Sequence, residues 1–361
     1  MAEEKKVTLI LEDGKEFQGV SFGYEKTVSG EVVFNTAMTG YPESLTDPSY
    51  KGQILALTYP IIGNYGVPSN EKANDLYKYF ESYALHISGL IVSDYTESYS
   101  HWNANKSLGD WLKEYEIPGI YGIDTRELTK ILREQGTMLG KVVFNGENID
   151  YYDPNKDNLV AQVSTKEKKT FGNGKFKILL IDCGVKYNII RNLLKRDATV
   201  ILVPWDWDIS REKYDGLFIS NGPGDPKMCD KTIVNIRKAF EQKIPVYGIC
   251  LGNQLMGLAA GAETYKLKYG HRSHNQPVIQ VGTDKAYITS QNHGFAIDNN
   301  TMPDDWTPLF INLNDNTNEG MKHKSLPFFS SQFHPEASGG PTDTEFLFDD
   351  FIDSIKKAKQ G

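Results

Sequence analysis

The sequence predicts an α/β protein in two parts: a β-rich N-terminal domain and a C-terminal α/β domain built on a mainly parallel sheet. Three observations carry that expectation. The 361 residues exceed the usual span of one domain. The first part holds runs of alternating apolar and polar residues broken by turn residues, the mark of half-buried strands. From residue 176 onward, short continuous apolar runs alternate with stretches of helical length, the pattern of parallel strands covered on both faces.

In the first part, residues 7–12 alternate apolar and polar, Asp13-Gly14 supplies hairpin turn chemistry, and residues 15–20 return as a second strand. Residues 30–35 are a third strand candidate, followed by a turn-rich stretch over 39–50 that holds Gly40, Pro42 and Pro48. Helices are predicted over 73–81 and 125–135, the latter with Thr125 as N-cap and Gly136 as C-cap. Residues 145–175 are rich in Asn, Asp, Lys and Gly and, apart from 159–163, poor in large apolar side chains. The predicted division is therefore 1–150 for the first domain, a linker over 151–175 centred on its second half, and 176–361 for the second domain. In that second domain strands are predicted at 178–181, 200–203, 216–220 and 246–249. Helices are predicted at 187–196, 232–242 and 251–260, the last closed by Gly261.

Composition narrows the function classes. A hydrophobic share of 39% and a charged share of 24% suit an ordinary globular protein with material for a core. The net charge of −8, without a basic tract, argues against nucleic acid or an anionic membrane as the main partner. No run approaches the ~18 apolar residues of a membrane span. Residues 1–6 hold neither a signal-peptide core nor an Arg/Ser-rich transit sequence. Three cysteines, Cys183, Cys229 and Cys250, are too few and too scattered for a disulfide framework or a zinc site. A reducing, cytoplasmic compartment is expected, with the mitochondrial matrix open if a transit peptide lies outside this numbering.

The chemistry concentrates in a few segments. Gly248-Ile249-Cys250-Leu251-Gly252 has the G-x-nucleophile-x-G form between a predicted buried strand and a predicted helix. A sharp turn there pushes the central side chain outward and sets the sulfur at the positive end of the helix. Phe328 to Phe333 read as a strand delivering His334 to its edge, and Pro335 ends the ladder. In extended chain, positions two apart point the same way, so Glu336 can hold the His334 ring in one tautomer. A thiol attacking an amide needs a base, and departing ammonia needs a proton; one oriented histidine serves both. Asn221-Gly222-Pro223-Gly224-Asp225-Pro226 follows a predicted strand but lacks the spacing of a phosphate loop. A turn offering the Gly224 N–H, beside that of Leu251, suits a developing oxyanion better. Ser290-Gln291-Asn292-His293-Gly294-Phe295 reads as a polar, substrate-facing loop. His271 and His274 read as loop or interface residues, His293 as hydrogen-bonded within its loop, and Cys183, Cys229, His86, His101 and His323 as ordinary packing or surface residues.

With those pieces in hand, the C-terminal half is similar to class I, triad-type glutamine amidotransferases, through residues 248–254, His334-Pro335-Glu336 and residues 221–226. The N-terminal half narrows the likeness. Leu11-Glu12-Asp13-Gly14, Gly40-Tyr41-Pro42-Glu43, Thr46-Asp47-Pro48-Ser49-Tyr50 and Gly122-Ile123-Asp124-Thr125-Arg126 resemble the first domain of the small, glutaminase subunit of carbamoyl-phosphate synthetase. Residues 30–36, Lys268-Tyr269-Gly270-His271-Arg272 and residues 290–295 share that likeness, which covers nearly the whole chain.

The resemblance implies Cys250 as nucleophile with His334 and Glu336 completing a triad. It implies contacts to L-glutamine from Ser49, Gly222, Gly224, Leu251, Gln254, Asn292, Gly294 and Phe295. It also implies ammonia delivery to a large synthetase subunit, or fused synthetase domains, that make carbamoyl phosphate from bicarbonate. No metal and no cofactor are expected in this chain, with ATP and Mg on the synthetase partner. Asn253 stands where many members carry histidine, which implies tuning of the pocket rather than loss of chemistry. Other readings stay open: a catalytically weak or silent regulatory or scaffold subunit, an amidotransferase for another synthetase, and a stand-alone γ-glutamyl hydrolase. Whether the product serves pyrimidine, arginine or urea synthesis is open as well.

Overall fold

The structure, a computed structural model, describes residues 5–360. Its chain divides into two compact units between Asp157 and Asn158.

The first unit is a closed barrel of seven strands: β1 (Lys6–Leu11), β2 (Glu16–Ser21), β3 (Val28–Asn35), β4 (Gln53–Leu57), β5 (Gly89–Ile91), β6 (Gly119–Tyr121) and β7 (Met138–Phe144). They close in the order β1-β7-β3-β4-β5-β6-β2, which leaves no strand edge open to pairing. Helices α1 (Tyr41–Leu45) and α2 (Leu108–Glu114) share an apolar cluster with Val33, Leu55 and Leu90, while α3 (Thr125–Gln135) buries Leu128, Ile131 and Leu132.

Two local expectations are corrected here. Residues 73–81 are not a helix: Lys72–Ala73 pairs with Leu76–Tyr77 across Asn74 and Asp75, both at positive φ. Asn and Asp tolerate that conformation, so hairpin chemistry overrides the helical spacing. The N-cap of α3 is Asp124 rather than Thr125, its carboxylate accepting the Glu127 N–H at 2.8 Å.

The second unit is a ten-stranded mixed sheet: β8 (Lys169–Phe171), β9 (Phe176–Asp182), β10 (Ala198–Pro204), β11 (Gly216–Ile219), β12 (Val246–Ile249), β13 (Thr264–Gln280), β14 (Ala286–Ile297), β15 (Trp306–Asn312), β16 (Asn318–His323) and β17 (Phe328–Ser331). The order is β8-β10-β9-β11-β12-β17-β16-β15-β13-β14. Strands β10, β9, β11, β12 and β17 are mutually parallel, and every other pairing is antiparallel. The predicted parallel sheet is thus one half of a larger mixed one. Its antiparallel half includes residues 270–275 and 290–295, expected as loops but paired across β13 and β14 with two bulges. Their many polar residues are buried against one another, so no apolar alternation marks them as strands.

Strand alternation explains the layers around the parallel half. Leu217, Ile219 and Val246 face a cluster with Ile236 of α6 (Asp230–Glu241) and with Leu251 and Leu255 of α7 (Leu251–Ala260). Phe218 and Tyr247, one position out of phase, meet Phe348 and Phe351 of α8 (Phe346–Ala358). Burial of such aromatics supplies much of the core energy, at roughly 25 cal/mol per Å².

The expected linker over 151–175 is divided between the units instead. Tyr151 donates to the Leu11 carbonyl and Pro154 packs against Gly52 in the first. In the second, α4 (Leu159–Val163) buries three apolar side chains and β8 forms the sheet edge. A few anchored side chains and hydrogen bonds secure a segment whose composition reads as linker.

Candidate active site

The site grows from the ends of two adjacent parallel strands. Strands β12 and β17 pair in register, Gly248 with Ser330 and Ile249 with Ser331. The chain leaving β12 therefore meets the chain leaving β17. Cys250 follows directly, its N–H bonded to the Ser331 carbonyl at 2.8 Å. His334 lies three residues beyond β17, with its N–H on the Ser290 carbonyl at 2.9 Å. Topology thus brings together residues far apart in sequence.

The turn at Cys250 is strained. Its φ is 55° and ψ is −104°, and it is 2% exposed. Eight non-glycine residues among those described have positive φ; the other seven sit on exposed turns. A buried residue held there costs about 1–3 kcal/mol and persists where surrounding structure over-determines it. The flanking glycines show how. A side chain at position 248 would strike the Gly252 backbone at 2.6 Å, and one at 252 would strike the Ile219 carbonyl at 2.4 Å. Only glycine at both lets α7 start so close to the strand ends. The Cys250 sulfur lies 3.6 Å from the Asn292 carbonyl, which accepts its proton.

His334 is fully buried, and its Nδ1 bonds Glu336 Oε1 at 2.7 Å. The same carboxylate oxygen takes Lys186 Nζ at 3.0 Å. Burial alone would depress the imidazole, but the Glu336 carboxylate and the Cys250 side chain outweigh it and the opposing Lys186 charge, so the ring is raised above its ordinary value. Burial would raise Glu336, yet Lys186 and His334 hold it well below the usual carboxylate range. His334 Nε2 is buried without a hydrogen-bond partner among the described residues, although the sulfur is near enough to influence the ring. Catalytic hydrogen bonds of this type commonly tighten only with substrate in place.

Of the remaining candidates, all but Ser49 belong to the second unit. Gly222 lies against the Cys183 carbonyl, which a side chain would meet at 2.0 Å, and Gly224 has a φ of 86°. Leu251 opens α7. Gln254 Nε2 donates to the Phe295 carbonyl at 2.9 Å and to Gln332 Oε1 at 3.1 Å. Asn292, Gly294 and Phe295 lie on β14. Ser49 belongs to the first unit, buried in a turn where Asp47 accepts its N–H at 2.9 Å. Asn253 is fully buried, donating to Gln332 at 3.0 Å and accepting from Ser330 at 2.7 Å. Gln332 therefore holds both Asn253 and Gln254.

Sequence reasoning passed over Lys186, Asn188 and Gln332. Lys186 precedes α5 (Tyr187–Leu194), its N–H on Asn221 Oδ1 at 3.0 Å, and Asn188 donates to the Glu336 carbonyl. The signal available was a lysine between a buried strand and an apolar helix, where a charge is rarely left unpaired.

Comparison with known proteins places this arrangement. The class-I glutamine amidotransferase family matches residues 179–354, and the carbamoyl-phosphate synthase small chain, CPSase domain, matches residues 9–142. The second unit is thus a class-I glutamine amidotransferase domain. The arginine-specific carbamoyl phosphate synthase small chain of Saccharomyces cerevisiae is 51% identical over 98% of this chain and 89% of its own length. The chain belongs to the carbamoyl-phosphate synthase small-chain family. The mitochondrial carbamoyl-phosphate synthase [ammonia] of Homo sapiens is 53% identical over 97% of this chain, which spans 24% of that relative. The multifunctional protein CAD of Squalus acanthias is also 53% identical, and the chain spans 16% of it. No helix among the described residues is long and apolar enough to cross a membrane.

Proposed function

We propose that the chain hydrolyses L-glutamine with a Cys250–His334–Glu336 triad and supplies the ammonia to a carbamoyl-phosphate synthetase large subunit or fused synthetase domains. The observation that carries this reading is the convergence of a strained, buried cysteine and a carboxylate-held histidine at neighbouring strand ends.

The Cys250 sulfur attacks the glutamine side-chain amide carbon, and its proton passes to His334. Main-chain N–H groups of Gly224 and Leu251 receive the oxyanion. The tetrahedral adduct collapses as His334 protonates the nitrogen, the C–N bond breaks, and ammonia leaves a γ-glutamyl thioester. Water, deprotonated by His334, attacks that thioester and releases glutamate and the thiol. Glu336 keeps the ring in one tautomer and stabilises its cationic form. Gln254, Asn292, Gly222, Gly294 and Phe295 line the glutamine site, and the family resemblance implies Ser49 as a further contact. ATP and Mg act on the synthetase partner, which joins the ammonia to bicarbonate.

Glutaminase assays on wild type and Cys250→Ser, with and without a synthetase partner, test the reading. Weak activity alone, stimulation by partner with ATP and bicarbonate, and none in the variant are expected. Equal activity in Cys250→Ser removes the nucleophile; absence of stimulation removes the partner.

A further inference from the structure

A second buried cluster, whose side chains the proposed reaction does not use, begins at the residue next to Asn292. His271 on β13 and His293 on β14 are register partners, and Glu319 on β16 completes a buried group of three. His271 Nδ1 lies 2.9 Å from Gln291 Oε1 and 3.2 Å from Glu319 Oε1. His293 Nε2 lies 3.2 Å from the same amide oxygen and 3.8 Å from the same carboxylate oxygen. A tetrahedral ion with bonds of about 2.0–2.1 Å to nitrogen and oxygen separates its ligands by about 3.3 Å. The four distances bracket that value.

The outer partners of the two rings fit as well. His271 Nε2 lies 2.8 Å from Asp315 Oδ2, and His293 Nδ1 lies 2.9 Å from the Phe295 carbonyl. A carboxylate on one ring and a backbone carbonyl on the other orient metal-binding histidines, leaving the second nitrogens free to converge. Donor accounting points the same way. With its Nδ1–H on Phe295, a neutral His293 turns a lone pair toward two oxygens. Gln291 cannot turn its amide nitrogen inward without losing Thr289 Oγ1, whose own proton goes to the Gln276 carbonyl. Asn312 Nδ2 gives Glu319 Oε1 one donor at 3.2 Å and reaches His271 Nδ1 at 3.4 Å, Thr317 Oγ1 adds a longer contact at 3.4 Å, and Glu319 Oε2 has no partner among the described residues. Against burial, Asp315 and Glu319 raise the His271 ring to about 9, so its Nδ1–H can answer one of these oxygens, but the His293 lone pair still faces both of them, which is costly in a buried site unless a cation sits between.

We propose that His271, His293, Glu319 and Gln291 form a binding site for a divalent cation of the zinc class, tying β13, β14 and β16 together. Exposed Asp315 stands at its mouth and provides the way in. The cluster adjoins the proposed glutamine site, since His293 stands between Asn292 and Gly294 and the Phe295 carbonyl meets both its ring and Gln254, but the proposal does not rest on the hydrolysis reading.

The test uses the full chain carrying Cys250→Ser, so that the thiol takes no part, stripped with a chelator and titrated with Co²⁺ and then Zn²⁺. One equivalent of Co²⁺ should give ligand-field bands of a tetrahedral nitrogen–oxygen site without a sulfur charge-transfer band. Zn²⁺ should displace it and raise the melting temperature. Asp315→Asn, at the exposed rim, should keep the fold and weaken binding roughly 10–100-fold; Glu319→Gln should abolish it. Absence of stoichiometric binding, or binding that neither substitution changes, overturns the proposal.

Discussion

In the barrel unit His86 is buried beside hydroxyl groups; in the α/β unit His334 is buried beside a carboxylate and a lysine. His86 Nε2 donates to Ser82 Oγ at 2.9 Å, and that hydroxyl donates to the Thr46 carbonyl at 2.6 Å. With burial as the dominant influence, the His86 ring is pushed down to about 4 and stays neutral. His334 is as deeply buried, yet Glu336 and Cys250 drive it upward. The backbone shows the same contrast. Positive φ in the barrel unit falls on exposed Asn74, Asp75, Glu116 and Asn145, whereas Cys250 carries it inside. The barrel meets the buried His86 ring with a neutral hydroxyl that itself donates to a carbonyl. In the second unit the strand ends at Cys250 and His334 carry strain and charge together, a combination found more often at active sites than in packing.

The largest effect expected from breaking this contrast is at Glu336. Glu336→Gln removes the carboxylate that Lys186 Nζ meets at 3.0 Å, and losing one partner of a buried pair costs about 3–5 kcal/mol. Denaturation should show that loss together with abolished glutaminase activity; unchanged stability would mean the lysine and carboxylate are not coupled.

A middle-sized effect is expected from acid on the barrel. The unfolded histidine titrates near 6.5, and the folded ring only near 4. Between those values the unfolded chain binds the extra proton, so stability is fully present above 6.5 and falls as pH falls toward 4. From pH 7 to 5 the loss is about 2 kcal/mol. Wild type should lose about that much more than His86→Gln over the interval, and parallel losses would refute the assignment.

The smallest effect concerns the strained turn. Cys250→Ser keeps a side chain at φ 55°, whereas Cys250→Gly relieves it. Glycine should be the more stable of the two inactive variants by about 1 kcal/mol, the strain relieved less the entropy glycine adds to the unfolded chain. A less stable glycine variant would show that the turn is not strained.

How much of this was legible in the sequence depends on which signal each part emits. Strands β9, β11 and β12 are apolar runs, and α7 lies between its turn and Gly261, so the parallel half and the setting of Cys250 could be read directly. The antiparallel half could not, because His271, Gln291 and His293 pair as strand residues while burying polar groups. Lys186 was missed for a related reason: its role exists only once β17 brings Glu336 beside the start of α5, a contact 150 residues distant. The Asn74-Asp75 hairpin lies in a stretch whose apolar residues keep helical spacing, so its turn residues are the weaker signal in the sequence.

The central claim is that the sulfur of Cys250 becomes acylated during glutamine turnover. The most direct measurement is the intact mass of the chain, followed by peptide mapping, after acid quench during turnover with a synthetase partner. A γ-glutamyl adduct on Cys250, absent from Cys250→Ser, is the expected result. Sustained ammonia release from an unmodified Cys250, or an adduct on Cys183 or Cys229, would contradict it.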